Sequence, residues 1–148
     1  MRTLILLRHA AAESPGLDGQ DYDRGLTPAG RAEAEAAGRR LAALNLQPQL
    51  LLTSPARRTR ATTDIVARCL GLAAAGVRED ATLYLAAVPA LRAVIARTAA
   101  AVGCLLLVGH NPGLSELATV LDARGEGIAL ATGAFVRLDL PLADWLLP

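Results

Sequence analysis

Residues 1–10 read MRTLILLRHA, and their aliphatic run LILL leads directly into Arg8 and His9. A short run of large apolar residues predicts a buried strand, whose carboxyl end is marked here by the polar pair. Residues 104–111, CLLLVGHN, repeat the pattern and contain the only other histidine, His110. In open α/β sheets, ligand sites lie beyond the carboxyl ends of the strands. Either histidine alone is typical of a satisfied core side chain, but the two together favour a functional site.

The composition limits the classes of protein to which the chain can belong. It has 148 residues, of which 53% are hydrophobic and 20% charged, and we expect one compact domain over residues 1–148. The formal net charge of +1 argues against a general nucleic-acid binder, because such a protein needs a broad basic field. All fifteen basic residues are arginine, which excludes a lysine Schiff base and a P-loop lysine.

The sequence predicts neither a cofactor nor a metal site. Cys69 and Cys104 lie in apolar stretches typical of buried thiols, and no cysteine and histidine cluster has zinc-site spacing. The first apolar run is about four residues long, whereas a signal peptide needs roughly 7 to 15. Glycine and proline interrupt the uncharged residues 98–115, which argues against a membrane span. We therefore expect a cytoplasmic protein with no membrane partner.

Strand and helix patterns alternate along the chain. Residues 11–25 are rich in glycine, aspartate and proline and have no period, which predicts a long loop bordering the first strand end. Further strands are expected at residues 49–53, within 78–84, and at 104–108, 127–131 and 135–140. Helices are expected to begin at Pro28, Pro55, about Pro89 (running to Ala101) and Pro112. This order predicts an α/β fold, a three-layer domain with a mainly parallel central sheet flanked by helices.

Two of these helices begin with a hydroxyl residue followed by proline, at residues 27–28 and 54–55, which predicts a capped first turn. In the second of them, Arg57, Arg58 and Arg60 crowd the first turns, where the helix dipole disfavours cations. This conflict predicts a bound anion. For Arg57 and Arg60 three interpretations stay open: contact with phosphate, contact with a partner, and ordinary exposure to solvent. The buried face of this helix is predicted to consist of Ala61, Ile65, Cys69 and Leu72.

If the sheet is mainly parallel, three strand-to-helix junctions open at one edge. Arg8 with His9, Arg58, and His110 then converge there. Such a cluster of cationic and imidazole groups is costly without an anion, and the arginine fork matches phosphate oxygens bidentately. A phosphoryl group is therefore the predicted ligand of this cluster.

Four stretches of this chain carry a resemblance to a known family. LLRHAAAE, DRGLTPAG, TSPARRTRAT and VGHNPGLSELA resemble, in this order, the successive motifs of the histidine phosphatase superfamily. Among its members the chain is most similar to the small SixA-type phosphohistidine phosphatases. The resemblance runs from the amino terminus to about residue 121, and TGAFVRLDL is similar to the family's last strand.

The resemblance implies a phosphoglycerate mutase-like fold and a metal-free phosphatase. His9, the histidine of the RH motif, would attack phosphorus and be transiently phosphorylated. Arg8, Arg58 and His110 would hold the phosphoryl oxygens, and Asn111 would join them in the phosphate site. The implied partner is a protein carrying phosphohistidine, with inorganic phosphate as a product and no nucleic acid.

The chain departs from the family pattern at two places. Ala10 and Ala12 stand where many members have glycine and threonine, so a hydroxyl contact to phosphate is missing. Where many members carry an acidic proton donor, residues 82–87 read TLYLAA and contain no carboxylate. The nearby carboxylates are each expected to be solvated: Glu13, Asp18, Asp21, Asp23, Glu79 and Asp80.

The missing acid bears on the choice of substrate. An alkoxide leaving group resembles hydroxide, whose parent water has a pKa of about 15.7, and needs a proton in the transition state. The imidazole of phosphohistidine has a pKa of about 6.5 and needs far less help. We therefore expect a phosphohistidine phosphatase. The alternatives are a phosphomonoesterase for nucleotide or sugar phosphates and a phosphoprotein-binding module without turnover.

Overall fold

The computed structural model describes residues 1–148. The five strands are β1 (Arg2–Arg8), β2 (Leu50–Thr53), β3 (Val77–Glu79), β4 (Cys104–Gly109) and β5 (Phe135–Leu140). The four α-helices are α1 (Pro28–Ala43), α2 (Arg57–Leu70), α3 (Val88–Ala96) and α4 (Gly113–Leu121). No helix combines the length and the apolar character that crossing a bilayer requires.

The strands form one sheet in the order β3-β2-β4-β1-β5. Every neighbouring pair is parallel except β1 and β5, which are antiparallel. The predicted α/β fold of three layers around a mainly parallel sheet is therefore confirmed.

The side chains of β1 alternate between the two outer layers. Leu4 and Leu6 belong to the core beneath α3 and α4, whereas Ile5 and Leu7 belong to the core beneath α1 and α2. All four are fully buried. A central parallel strand covered on both faces reads as a continuous apolar run, and for this reason the sequence of β1 shows no polar alternation.

Two predicted helix bounds are wrong. Helix α2 begins at Arg57 rather than at Pro55, and its N-cap residue makes no side-chain capping bond. The Ser54 hydroxyl lies 2.7 Å from a ring nitrogen of His110 and does not cap the helix. Helix α3 ends at Ala96, well before the predicted end at Ala101.

The predicted buried face of α2 is confirmed at Ile65, whereas Ala61, Cys69 and Leu72 are only partly buried. The helix instead buries hydroxyl residues such as Thr59 and Thr62. The Thr59 hydroxyl donates to the backbone oxygen of Ser54 at 2.7 Å, and the Thr62 hydroxyl donates to that of Arg58 at 2.8 Å. Because local backbone oxygens satisfy these hydroxyls, they can be buried, and a stripe defined by apolar residues alone misses them.

The predicted strand at residues 127–131 is absent, since this stretch has no regular secondary structure. Side chains rather than a neighbouring strand satisfy its backbone. The amide of Ile128 donates to the Thr119 hydroxyl at 2.9 Å, and the amide of Leu130 donates to the Ser115 hydroxyl at 3.0 Å. This stretch therefore lies against α4 and beside the sheet edge where β1 ends.

Candidate active site

Three strand ends meet at one edge of the sheet. Arg8 at the end of β1 pairs in register with Gly109 at the end of β4, and Thr53 of β2 pairs with Val108. The polar residues that follow these strands consequently lie at the same level. A cavity of about 380 Å³ opens there, and its lining includes Arg8, His9, Arg58, His110 and Asn111. The structure thus brings the predicted site residues together; their catalytic and binding roles stay predictions.

His9 is buried, with 8% of its surface exposed. Its Nδ1 lies 2.7 Å from the backbone oxygen of Ala10. Because a carbonyl oxygen only accepts, Nδ1 carries the hydrogen and Nε2 keeps its lone pair. Burial, with a smaller contribution from the charges of Arg58 and Arg8, lowers the pKa of His9 to about 4, although the hydrogen bond to Ala10 opposes this shift. The imidazole is therefore neutral near pH 7, with Nε2 available for attack.

His110 is held in the opposite way. Its Nε2 lies 2.7 Å from the Ser54 hydroxyl, and its Nδ1 lies 3.3 Å from Nη2 of Arg58. A guanidinium only donates, so Nδ1 accepts and Nε2 carries the hydrogen. Burial, followed by the charge of Arg58, lowers the pKa of His110 to about 3. The ring centroids of His9 and His110 are 5.5 Å apart.

Arg8 and Arg58 each have a buried donor without a partner. Arg58 is 2% exposed and donates from Nη1 to the backbone oxygen of Asp21 at 2.8 Å. Arg8 donates from Nη1 to the backbone oxygen of Leu130 at 3.2 Å. Nε of both arginines is buried and makes no hydrogen bond. Unpaired buried donors are costly, and the positive charge of the two guanidiniums beside the cavity favours an anion there.

Asp21 contradicts the expectation that the carboxylates near the site are solvated. Its Oδ2 lies 3.0 Å from Nη2 of Arg58 and 2.5 Å from the Tyr84 hydroxyl, and its Oδ1 lies 3.0 Å from Nη1 of Arg24. The hydrogen bond from Tyr84, followed by those from Arg24 and Arg58, holds the pKa of Asp21 well below its usual range. The expectation fails because a polar loop shows no periodicity that could reveal its folding back over the sheet edge.

Tyr84 is a second residue that sequence reasoning missed. Its ring packs edge-on against His110, with 5.6 Å between centroids, and against Tyr22, with 5.2 Å. It lies in the TLYLAA stretch, which the sequence marked only for lacking a carboxylate. An aromatic hydroxyl there, opposite an acidic loop, is the signal that could have suggested a contact with the site.

Asn111 lines the cavity and also ties two segments together. Its Nδ2 donates to the backbone oxygen of Leu130 at 2.8 Å, and its Oδ1 accepts from the Ser115 hydroxyl at 2.7 Å. Since both ends of this amide are bonded within the protein, its predicted contact with phosphate stays a prediction.

The other charged candidates lie outside the cavity lining. Arg60 pairs with Glu79 at 2.9 Å, and both side chains are exposed. Arg57 is also exposed, and its Nη1 lies 3.4 Å from the backbone oxygen of Asp23. Asp80 pairs with Arg97 at 3.0 Å. Exposed pairs of this kind contribute little to stability.

The two alanines that replace the family's glycine and threonine differ in their surroundings. Ala10 is fully buried, and its amide donates to the Thr62 hydroxyl at 3.0 Å. Ala12 lies in the cavity lining, beside Ala11. No group of three or more histidine, cysteine, aspartate or glutamate side chains has an arrangement that could hold a metal ion.

The sequence of this chain is similar to that of a known family and of several individual proteins. A family model described as the histidine phosphatase superfamily (branch 1) matches residues 4–83. An uncharacterized chloroplastic protein of Arabidopsis thaliana is 34% identical over 139 residues, which cover 88% of this chain and 63% of that protein. The human mitochondrial serine/threonine-protein phosphatase PGAM5 is 41% identical over 69 residues, 47% of this chain and 23% of that protein. The chain thus spans less than two thirds of either relative.

Solved structures match over almost the whole chain. A crystal structure assigned as the phosphohistidine phosphatase SixA from Agrobacterium tumefaciens has a TM-score of 0.84 and 31% identity, covering 99% of this chain and 98% of that one. The protein histidine phosphatase SixA complexed with tungstate has a TM-score of 0.81 and 25% identity, covering 93% and 88%.

Proposed function

Because this chain belongs to the histidine phosphatase superfamily, we propose that it removes phosphate from phosphohistidine on a protein. In this proposal residues 1–148 act as one catalytic domain that needs no metal or cofactor. The similarity to two SixA structures over nearly the full chain supports the choice of substrate class.

The observation that carries the proposal is the state of His9. Its Nδ1 hydrogen is held by the Ala10 carbonyl, its Nε2 keeps a free lone pair, and the residue lines a cavity together with Arg8 and Arg58. Phosphoryl transfer depends mainly on positioning and on stabilising the charge of the equatorial oxygens. A neutral imidazole beside fixed cations meets both needs.

The proposed reaction has two steps. The Nε2 lone pair of His9 attacks phosphorus as the bond from phosphorus to the substrate imidazole breaks, and that bond's electron pair stays with the leaving nitrogen. Water then attacks phosphorus, which releases inorganic phosphate and restores neutral His9. Arg8, Arg58, His110 and Asn111 are assigned to the phosphoryl oxygens. Both nitrogens of the neutral His110 ring are engaged, by Ser54 and by Arg58, so His110 would donate to phosphate in the protonated form, which a bound anion favours.

The acid–base state of the cavity favours a nitrogen leaving group over an alkoxide. Asp21 is the one carboxylate in the cavity lining, and three donors keep it ionised. It therefore has no proton to give to a departing alkoxide, which needs one. Imidazole leaves without this help.

A matched pair of peptides tests the substrate class. One sequence is prepared with phosphohistidine and again with phosphoserine at the same position, and phosphate release is followed by the wild type. We expect a strong preference for the phosphohistidine peptide. A preference for the phosphoserine peptide or for small alkyl phosphates would instead indicate a phosphomonoesterase, and tight binding without release would indicate a binding module.

A further inference from the structure

The carboxylate of Asp21 belongs to the cationic cluster, although part of its side chain is exposed. It belongs to a single 3₁₀ turn, Asp21–Asp23, on the loop that leaves the site after β1. Nη1 and Nη2 of Arg58 bind the backbone oxygen and the carboxylate of this one residue, and Arg58 in turn contacts His110. Asp21 also lines the cavity that contains His9. A negative charge is therefore fixed beside the place where phosphate would bind.

All neighbours of this carboxylate are donors. Arg24, Arg58 and Tyr84 each donate one hydrogen bond to it, which fixes it in the ionised form. Two carboxylate oxygens offer about four acceptor positions. Three are used, Oδ1 has only one partner, and 43% of the side chain is exposed. Asp21 can therefore accept one more hydrogen bond from a molecule in the cavity.

We propose that Asp21 makes the site selective for phosphohistidine by accepting the N–H of the substrate imidazole. In phosphohistidine one ring nitrogen carries phosphorus and the other can carry a proton. When the bond to phosphorus breaks, a ring protonated at the second nitrogen leaves as neutral imidazole, so that no proton has to be transferred in that step. An anionic acceptor favours this protonated ring, whereas it repels a departing alkoxide.

This inference rests on the proposed function and assigns a specificity-determining residue to it. Asp21 would stabilise the leaving group by holding a proton that the substrate already carries, so no general acid is needed. The TLYLAA stretch contains no carboxylate, which is consistent with an imidazole leaving group that needs no proton donor.

The test compares two substrates whose leaving groups differ. The phosphohistidine peptide has a second ring nitrogen, whereas p-nitrophenyl phosphate releases a phenolate that has no N–H. For Asp21→Asn, the ratio of kcat/KM for the first substrate to that for the second should fall about 10- to 100-fold, the effect of one hydrogen bond to a charged group. Asp23→Asn is the matched control, because it removes the same charge from an exposed neighbour in the same turn. Its ratio should equal that of the wild type.

Each other outcome overturns the inference. An equal loss on both substrates, which leaves the ratio unchanged, would mean that Asp21 only positions Arg58. Unchanged kcat/KM on both substrates would mean that the carboxylate does not meet the leaving group. A similar fall in Asp23→Asn would indicate a general charge effect of the loop. Thermal unfolding of each variant shows whether it is folded. A wild type that hydrolyses p-nitrophenyl phosphate but not the phosphohistidine peptide would refute the proposed function itself, a result that none of the variant comparisons can produce.

Discussion

At the end of β1, the imidazole of His9 donates its Nδ1 hydrogen to a backbone oxygen, whereas at the end of β4, the imidazole of His110 donates its Nε2 hydrogen to the Ser54 hydroxyl. The same residue type at equivalent strand ends thus has opposite nitrogens protonated. The free nitrogen of His110 faces Arg58, while that of His9 has no hydrogen-bond partner in the protein. The neighbours of each ring, rather than its place after a strand, decide which nitrogen can react.

The largest difference between the two histidines is expected when each is removed. His9→Ala should reduce phosphohistidine hydrolysis by at least about 1,000-fold, because it deletes the proposed nucleophile. His110→Ala should cost about 100- to 1,000-fold, the loss expected for a group that stabilises phosphoryl oxygens. Single-turnover assays should show a phosphorylated intermediate in the second variant only. Full activity of His9→Ala would show that His9 is not the nucleophile and that the two histidines do not differ in this way.

Arg58 contacts His110 and is expected to act on both binding and rate. Arg58→Ala should raise KM and lower kcat together, with a combined loss of about 100-fold or more in kcat/KM, because it deletes a charged donor to the phosphoryl group. Arg60→Ala is the control, since Arg60 is an exposed neighbour on the same helix whose partner is Glu79. Similar losses in both variants would indicate a general effect of charge on α2.

The hydroxyl of Ser54 sharpens the comparison, because it bonds to the ring of His110 and not to that of His9. Ser54→Ala should lower activity roughly 10-fold, the effect of losing one buried hydrogen bond, and should shift the Nε2 signal of His110 in the imidazole ¹⁵N spectrum. The hydrogen should stay on Nε2, because Arg58 still donates to Nδ1. The spectrum of His9 should not change. Thr98→Val is the control, because it removes a buried hydroxyl that has no hydrogen-bond partner. An unchanged His110 spectrum would show that the Ser54 hydroxyl does not bind the ring.

Burial lowers the pKa of both histidines, and this should make the stability of the protein depend on pH. Burial lowers the pKa of His9 to about 4 and that of His110 to about 3, from 6.5. Below pH 6.5 the unfolded chain therefore binds more protons than the folded one, so the free energy of unfolding falls as pH drops toward 4. Above pH 6.5 both forms are neutral and the effect vanishes. Thermal unfolding from pH 7 to pH 4 should show a shallower fall in Tm for the His9→Gln, His110→Gln double variant than for the wild type.

The strand ends and the residues that follow them could be predicted from the sequence, because buried parallel strands are continuous apolar runs and a polar residue marks where each run stops. This reasoning places Arg8, His9 and His110 at one edge. It does not place Asp21, since the path of a long polar loop depends on tertiary contacts with Arg58 and Tyr84.

Buried polar groups explain the remaining differences between the predicted and the observed structure of α2. The face of α2 that packs inward contains Thr59 and Thr62, whose hydroxyls bond to backbone oxygens, and the Ser54 hydroxyl bonds to His110 instead of capping the helix. Patterns of hydrophobicity treat such residues as solvent-facing. In a sequence, a polar residue that is buried with a hydrogen-bond partner looks the same as one exposed to water. Its burial can therefore be predicted only when its partner is known.

The most direct test of the account is to capture phosphate on the nucleophile. The wild type is mixed with a ³²P-labelled phosphohistidine peptide, quenched with base within milliseconds, digested and sequenced by mass spectrometry. We expect one acid-labile, base-stable phosphate on the peptide that contains His9, and none in His9→Ala. Label on His110, or a burst of free phosphate with no label on the protein, would contradict the assignment of His9 as nucleophile.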